Sequence, residues 1–184
     1  MKKTDQAKPD TAKTLSRIAL STVLIVVCSW ISVPYVIPFT LQTFAVFFAL
    51  ELLGGKSGTV SVCVYVLLAA VGVPVLSGFK GGIGALAGPT GGYVIGFVLS
   101  GLTYLVLPFK GKSFPLSYLA CSIALLVCYV CGTLWFWLGY LDNGTIDGLL
   151  YALSVCVAPY AVIDLIKIFF AVLIADKLKK IIDR

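Results

Sequence analysis

Four long stretches of the sequence contain no charged residue. The first lies between Arg17 and Glu51, and the others cover residues 57–79, 81–109 and 113–141. Each is longer than the roughly 20 residues that a helix needs to cross the hydrocarbon core of a bilayer. A helix satisfies its own backbone hydrogen bonds in lipid, and these stretches lack the alternation of apolar and polar residues that marks the strands of a membrane barrel. The pattern therefore predicts an all-α integral membrane protein.

Composition excludes a soluble domain of this size. Of the 184 residues, 60% are hydrophobic and only 12% are charged, and the mean hydropathy is +1.05. Soluble domains carry about 25% charged residues. A chain of this length has too small an interior to hide so much apolar surface from water. Lipid is therefore expected to be the solvent for much of the chain.

Charged and turn-forming residues divide the apolar sequence into six segments. We predict a polar cytoplasmic N-terminal tail over residues 1–13 and a single six-helix transmembrane domain over residues 14–184. Glycines crowd residues 77–87, which are predicted to form a loop because glycine loses much backbone entropy in a helix. The predicted transmembrane helices cover residues 14–33, 39–53, 57–76, 90–107, 114–141 and 149–175.

Basic residues gather at one set of segment ends and predict the orientation. The net charge is +6, and twelve of the fourteen Lys and Arg residues fall in the two termini and in the turns near Lys56 and Lys110. The opposite face has only Lys80. Positively charged loops stay in the cytoplasm, so both termini are predicted to be cytoplasmic. Because the basic residues form no stripe interleaved with aromatics, no nucleic-acid partner is expected.

Several features that catalysis would need are missing. The sequence has no histidine, which excludes a histidine-ligated metal and histidine-based catalytic pairs. Its six cysteines lie in or beside apolar segments and are interpreted as packing residues. Residues 50–57 lack the first glycine of a phosphate-binding P-loop, and residues 82–87 lack the βαβ context of a dinucleotide fingerprint. We therefore predict no enzymatic activity, no metal and no cofactor.

One acidic and one basic residue lie inside the last apolar segment. Asp164 and Lys167 are three positions apart, so they share one face of a helix. Ionisable groups inside a membrane segment are costly and mark functional sites by default. The alternative is a buried pair that only neutralises itself, but such a pair contributes little net stability after desolvation. We interpret the two as binding residues for a ligand that offers both donors and an acceptor.

The glycine-rich segment from Gly78 to Tyr93 is a second candidate for ligand contacts. Small residues allow a backbone to approach a ligand closely, and free N–H groups at the start of a helix favour an anion. Gly88, Gly92, Gly96 and Ser100 recur at every fourth position, a spacing typical of close helix packing. We assign this repeat mostly to packing and the loop mostly to the ligand.

Polar and aromatic residues near the predicted outer face leave two interpretations open. Gln42 lies near the outer end of the second predicted helix, where its amide either bridges helices or lines a polar pocket. Each of five aromatic residues is either an anchor at the membrane interface or a pocket wall. These are Trp30, Trp135, Trp137, Tyr140 and Tyr160.

Four motifs, taken in order, carry a resemblance to a known family. They are IPFTLQTFAVFFAL at 37–50, LLGGKSGTVSVCVYVLLAAVGVPVLSG at 52–78, GGIGALAGPTGGYVIGF at 81–97 and APYAVIDLIK at 158–167. The sequence resembles the BioY family, the biotin-specific substrate-binding S components of energy-coupling factor (ECF) transporters. The resemblance runs from Ile37 to Lys167, and GPTGGY with the D-x-x-K of the last helix is its most specific part.

The resemblance implies a function and partners. Members of this family are expected to have six transmembrane helices, to lie in the bacterial plasma membrane as multi-pass proteins and to capture biotin from outside. They work with a transmembrane coupling subunit and two cytoplasmic ATPases. Biotin is then the transported substrate and not a cofactor. An S component for another vitamin and a self-sufficient small-molecule carrier are the alternatives.

The resemblance also places Asp164 and Lys167 at the positions that address biotin, and the glycine loop around it. A carboxylate accepts the N–H groups of the ureido ring, and an ammonium donates to its carbonyl. The ligand's carboxylate would meet Lys80 or backbone N–H groups of the loop. With the residues singled out above, the expected binding set is Asp164, Lys167, Gln42, Lys80, Gly82, Gly84, Gly91, Gly92, Tyr93 and Tyr160.

One feature departs from the family pattern. S components are expected to present a small-x-x-x-small patch on the first helix, where the coupling subunit docks. The nearest form here is Ala12-x-x-x-Ser16, with Ala19 one position off the repeat. The sequence therefore supports docking through this surface only in part.

Overall fold

The structure, a computed structural model, describes residues 11–35, 37–108, 113–141 and 145–182. Most of the predicted tail and the predicted turns at 110–112 and 142–144 lie outside the described residues. The predicted helical architecture is confirmed. The helices are α1 (Thr11–Trp30), α2 (Gln42–Ala70), α3 (Ile83–Leu86), α4 (Gly91–Val106), α5 (Phe114–Tyr140), α6 (Ile146–Cys156) and α7 (Ala158–Ile182).

A small hairpin lies between α1 and α2, in the gap between the first two predicted helices. Strands β1 (Ser32–Val33) and β2 (Phe39–Thr40) pair antiparallel. The helix predicted from residue 39 therefore begins at Gln42. This hairpin places the backbone of Thr40 directly before the central helix of the bundle.

The long helix α2 reverses its direction at Gly54, which separates two of the predicted helices. Gly54 has φ 78° and ψ 166°, a region that only glycine adopts readily. A Cβ on Gly58 would lie 2.6 Å from the Cα of Leu50. In a straight helix eight residues advance the chain by about 12 Å, so the two arms of α2 must lie side by side. We call residues 42–53 the first arm and residues 55–70 the second arm.

Within the described residues, four helices are long and apolar enough to cross a bilayer, namely residues 11–30, 42–70, 114–140 and 158–181. Because α2 folds back at Gly54, its 29 residues do not form one rod. The helix predicted over 149–175 is divided at Val157 into α6 and α7, two residues before Pro159. Proline lacks the N–H that a continuous helix would need at that position. The chain also leaves α2 at Ala70, earlier than the predicted residue 76.

The first arm of α2 forms the centre of the bundle. Every residue from Gln42 to Glu51 except Phe44 is buried. Helix α2 packs against α1, α4 and α7, and α4 packs against α5. Large apolar side chains on the outer faces of α5 and α7, such as Leu126 and Val162, are exposed, as expected for surfaces that face lipid.

A buried carboxylate joins four helices near the Gly54 turn. Glu51 is only 2% exposed, and its Oε1 accepts hydrogen bonds from Lys179 Nζ at 2.6 Å and from Ser117 Oγ at 3.2 Å. Its Oε2 accepts from the Tyr104 hydroxyl. These partners come from α7, α5 and α4. The Glu51 cluster, as we call these four residues, ties one end of the bundle together.

Candidate functional site

A cavity of about 350 Å³ lies between the first arm of α2, the segment 71–90 and helices α4 to α7. Its volume is in the range of small-molecule binding pockets. Apolar walls are supplied by residues such as Val94, Phe97 and Leu125, and charged groups by Asp164, Lys167 and Lys80. The cavity therefore combines apolar surface with a few polar groups, as is typical of sites that orient a small ligand.

Asp164 and Lys167 form an ion pair on the cavity wall. Lys167 Nζ lies 2.8 Å from Asp164 Oδ1, and the two side chains are 15% and 7% exposed. The ammonium also donates to the backbone carbonyl of Thr40 at 2.7 Å. Helix α7 thus contributes both charges on one face, and the hairpin before α2 contributes a neutral acceptor.

The ion pair keeps donor and acceptor capacity for a ligand. An ammonium has three N–H donors, and two of those of Lys167 serve Asp164 and Thr40. A carboxylate has about four acceptor positions, and Asp164 uses one for Lys167 and one for the Tyr129 hydroxyl at 2.7 Å. Counted over the described residues, one donor of Lys167 and further acceptor positions of Asp164 therefore remain, in a group of atoms already held in place.

Gln42 is oriented by a chain of hydrogen bonds whose direction can be assigned. The hydroxyl of Tyr65 donates to the carbonyl of Val75 at 3.3 Å, since a carbonyl can only accept. The tyrosine oxygen must then accept from Gln42, whose Nε2 lies 3.0 Å away. The amide nitrogen of Gln42 is thereby directed to Tyr65, and its carbonyl oxygen lies on the other side of the amide. Gln42 both joins the two arms of α2 and lines the cavity.

Aromatic residues on α1 and α5 hold the segment 71–90 over the cavity. Trp30 Nε1 donates to the carbonyl of Pro74 at 3.0 Å, and Trp135 Nε1 donates to that of Gly88 at 3.1 Å. The Tyr140 hydroxyl donates to the carbonyl of Ala87. Three of the five aromatics whose role the sequence left open therefore tether this segment. Trp137 instead donates to the carbonyl of Thr145 at 3.1 Å.

Tyr160 is the one of those five aromatics that lines the cavity. Its ring stacks on Phe39 with a centroid distance of 4.1 Å, and its hydroxyl donates to the carbonyl of Ile37. Tyr160 therefore lines the cavity while its hydroxyl is used within the protein.

The structure brings seven of the ten predicted site residues to the cavity wall. They are Asp164, Lys167, Gln42, Lys80, Gly84, Tyr93 and Tyr160. Gly82, Gly91 and Gly92 are not among the lining residues. A Cβ on Gly91 would lie 1.6 Å from the carbonyl oxygen of Leu86, and one on Gly92 would lie 2.2 Å from Trp135. These two glycines allow close packing, and Gly82, with φ 92°, shapes the loop before α3.

Sequence reasoning missed Thr40 and Tyr129. Thr40 acts through its backbone carbonyl, which no side-chain motif reveals. Tyr129 lies in a long apolar helix, 35 positions before the carboxylate to which it donates. A hydroxyl-bearing ring in an otherwise apolar span was the only available signal, and α5 has several such rings. Among the described residues, no group of three His, Cys, Asp or Glu could hold a metal ion.

Fold and site together define a class of protein: a membrane-embedded helical bundle that encloses a small-molecule cavity with one acid–base pair in its wall. The chain belongs to the BioY family, which it matches over residues 1–184. The resemblance seen in the sequence is thereby confirmed.

Individual relatives match over nearly their full length. The chain is 43% identical over 169 residues to the biotin transporter BioY of Thermotoga maritima, a match that covers 91% of this chain and 96% of that protein. It is 39% identical to the probable biotin transporter BioY of Pyrococcus horikoshii, with 91% and 97% covered. The fold is similar to the crystal structure of the S-component for biotin from an ECF-type ABC transporter. The TM-score is 0.81 at 26% identity, with 97% of this chain and 95% of that chain covered.

Proposed function

We propose that this chain is the biotin-binding S subunit of an ECF-type vitamin uptake transporter. Relatives named as biotin transporters match over more than nine-tenths of their length, and the similar solved structure is a biotin S-component. In this role the chain binds and presents a substrate and catalyses no reaction. Energy for transport comes from partner subunits.

The observation that carries the proposal is the acid–base pair in the cavity wall. On each edge of a cyclic urea an N–H donor stands beside the carbonyl acceptor. Asp164 and Lys167 stand 2.8 Å apart with an acceptor and a donor to spare. The urea N–H can donate to Asp164 while the urea carbonyl accepts from Lys167. The urea can therefore bind without breaking the ion pair. Both hydrogen bonds are charge-assisted, which makes them stronger than neutral ones.

The rest of the cavity suits the other parts of biotin. The apolar rings and chain of the ligand can lie against Val94, Phe97 and Tyr160. The valerate carboxylate extends toward the segment 71–90, where Lys80 supplies a positive charge and the glycine loop supplies backbone N–H groups. The ligand is thus held at one end by α7 and at the other by this segment.

The proposed topology has six membrane segments with both termini in the cytoplasm. The segments are α1, the two arms of α2, α4, α5 and the α6–α7 pair. Lys179 near the C-terminus contacts Glu51 beside the Gly54 turn, so these two regions lie at the same end of the bundle. Lys56 in that turn adds another positive charge to this end.

The proposed partners are a transmembrane coupling subunit and two cytoplasmic ATPases. Helix α1 is a candidate docking surface, because the family resemblance places the docking patch on the first helix and its side chains Leu20, Val23 and Val27 are accessible. The Ser16 hydroxyl donates to the carbonyl of Ala12 at 2.9 Å, so this small-residue pair needs no outside partner for its polar group. Small side chains whose polar groups are already hydrogen-bonded within their own helix permit another helix to approach closely in lipid.

Equilibrium titration of the purified full chain in detergent tests the proposal. The ligands are biotin, a biotin analogue lacking the ureido oxygen, riboflavin and thiamine. We expect biotin to bind most tightly and the analogue to bind more weakly. Equal binding of the analogue would refute a hydrogen bond from Lys167 to the ureido oxygen, and preferential binding of riboflavin or thiamine would show that the substrate is another vitamin. In liposomes the chain alone should not accumulate labelled biotin, and accumulation would indicate a self-sufficient carrier.

A further inference from the structure

Tyr129 on α5 donates a hydrogen bond to the carboxylate that the proposed function assigns to biotin. Its hydroxyl lies 2.7 Å from Asp164 Oδ2, and its side chain lines the cavity. The other carboxylate oxygen, Oδ1, accepts from Lys167 at 2.8 Å. Each oxygen of Asp164 is therefore held by a separate donor, and the two donors belong to different helices.

We propose that Tyr129 is a positioning residue for biotin recognition, which holds the plane of the Asp164 carboxylate so that its remaining acceptor positions stay available to the ureido N–H. This inference rests on the proposed function. The terminal torsion of an aspartate is broad, so a carboxylate held at one oxygen can still rotate. Lys167 lies on the same helix as Asp164 and restrains only Oδ1. Tyr129 supplies the second restraint from a different helix, α5.

A bound ligand has no need to displace Tyr129. The phenol has one proton, which is committed to Asp164 Oδ2, and that oxygen keeps another acceptor position. Removing the hydroxyl therefore leaves the ligand's own contacts possible but frees the carboxylate to turn away. A hydrogen bond to a charged group is worth about a factor of ten or more in an equilibrium constant. We expect its loss to appear in the biotin affinity, because a carboxylate that turns freely must be reoriented on binding.

Tyr118 provides a matched control on the same helix. Its hydroxyl donates to the backbone carbonyl of Leu165 on α7 at 3.4 Å, and Tyr118 does not line the cavity. Tyr118→Phe therefore removes a hydroxyl between the same two helices without affecting Asp164. A purely structural role of such hydroxyls would give similar results for both variants.

The test is a double-mutant cycle on the full chain in detergent, titrated with biotin to millimolar concentration. The proteins are the wild type, Tyr129→Phe, Asp164→Asn, the double variant and Tyr118→Phe. We expect Tyr129→Phe to weaken biotin binding about tenfold or more when Asp164 is present, and by less than about twofold when it is absent. Tyr118→Phe should change the affinity by less than about twofold. The unfolding midpoint of each ligand-free variant shows that it is folded at the temperature of the titration.

Wild-type affinity in Tyr129→Phe would overturn the inference, and so would the same loss with and without Asp164. If Asp164→Asn shows no binding at millimolar biotin, the two tyrosine variants decide: a loss confined to Tyr129→Phe supports the inference, and equal losses overturn it. Wild-type affinity in Asp164→Asn would instead refute the binding role of that carboxylate, so failure of the proposed function is distinguishable from failure of this inference.

Discussion

The ammonium of Lys167 donates to the backbone carbonyl of Thr40, 127 positions earlier in the chain, at 2.7 Å. This bond joins α7 to the hairpin that precedes the first arm of α2. With the contact to Asp164 it holds the ammonium before any ligand arrives. Groups that are ordered in advance lose less conformational entropy on binding, which favours affinity.

Removal of either member of the acid–base pair should weaken biotin binding. We expect Asp164→Asn and Lys167→Ala each to cost about 1.5–3 kcal/mol, or roughly 10- to 150-fold in Kd, because each removes a charge-assisted hydrogen bond to the ureido group. Titration calorimetry of the folded variants measures the change. Asp176→Asn and Lys180→Ala are controls, since this exposed pair on the same helix, also 2.8 Å apart, should leave the affinity unchanged. Unchanged affinity in both Asp164→Asn and Lys167→Ala would assign that pair a structural role.

Lys80→Gln should weaken the binding of biotin but not that of biotin methyl ester. The residue is exposed, so its attraction for the valerate carboxylate is worth only about 0.5–1 kcal/mol, or roughly two- to fivefold in Kd. The difference should shrink as salt screens the charge. Lys56→Gln, an exposed lysine away from the cavity, is the control. Equal losses for acid and ester would show that Lys80 does not recognise the carboxylate.

Glu51→Ala should destabilise the bundle while leaving biotin affinity nearly unchanged. The substitution removes the acceptor of three hydrogen bonds in the Glu51 cluster and leaves Lys179 unpaired. We expect a cost on the order of 2–4 kcal/mol, toward the lower end because Lys179 is 30% exposed and can turn to water. Thermal or SDS unfolding of the unliganded protein gives the change. Asp176→Ala is the exposed control, and an unaltered unfolding midpoint in Glu51→Ala would contradict the role of the cluster.

Gly92→Ala should loosen the packing of α4 on α5. The added methyl group would lie 2.2 Å from the Trp135 side chain, and relieving such an overlap costs about 1–3 kcal/mol. Gly139→Ala is the matched change, because no atom of the described residues, apart from its own turn of helix, lies within 4 Å of its added methyl group. That variant should be neutral or up to about 1 kcal/mol more stable, since alanine favours a helix. Similar unfolding midpoints for the two variants would show that the α4–α5 contact can relax.

The helix boundaries show which structural features a sequence pattern predicts and which it does not. Helices α4 and α5 end within a residue or two of the predicted positions, because each is a long apolar stretch with clear turn signals at both ends. The helix predicted over 149–175 is broken at Val157. The apolar pattern is continuous there, and Pro159 is the sequence feature that indicates a break. Helix α2 begins at Gln42 and not at the predicted residue 39, because residues 39–40 pair with the strand before them. Hydropathy carries no information about such pairing.

The sequence by itself determined that this chain is a helical membrane protein with an acid and a base on one face of its last helix. Both properties are local, since hydropathy is summed over a window and residues three apart share a helical face. Only the tertiary structure decided that Tyr129 would hold the Asp164 carboxylate and that Glu51 would bind Lys179, 128 positions away. Such partners are chosen by how helices pack in three dimensions, and no periodicity along the chain encodes that choice.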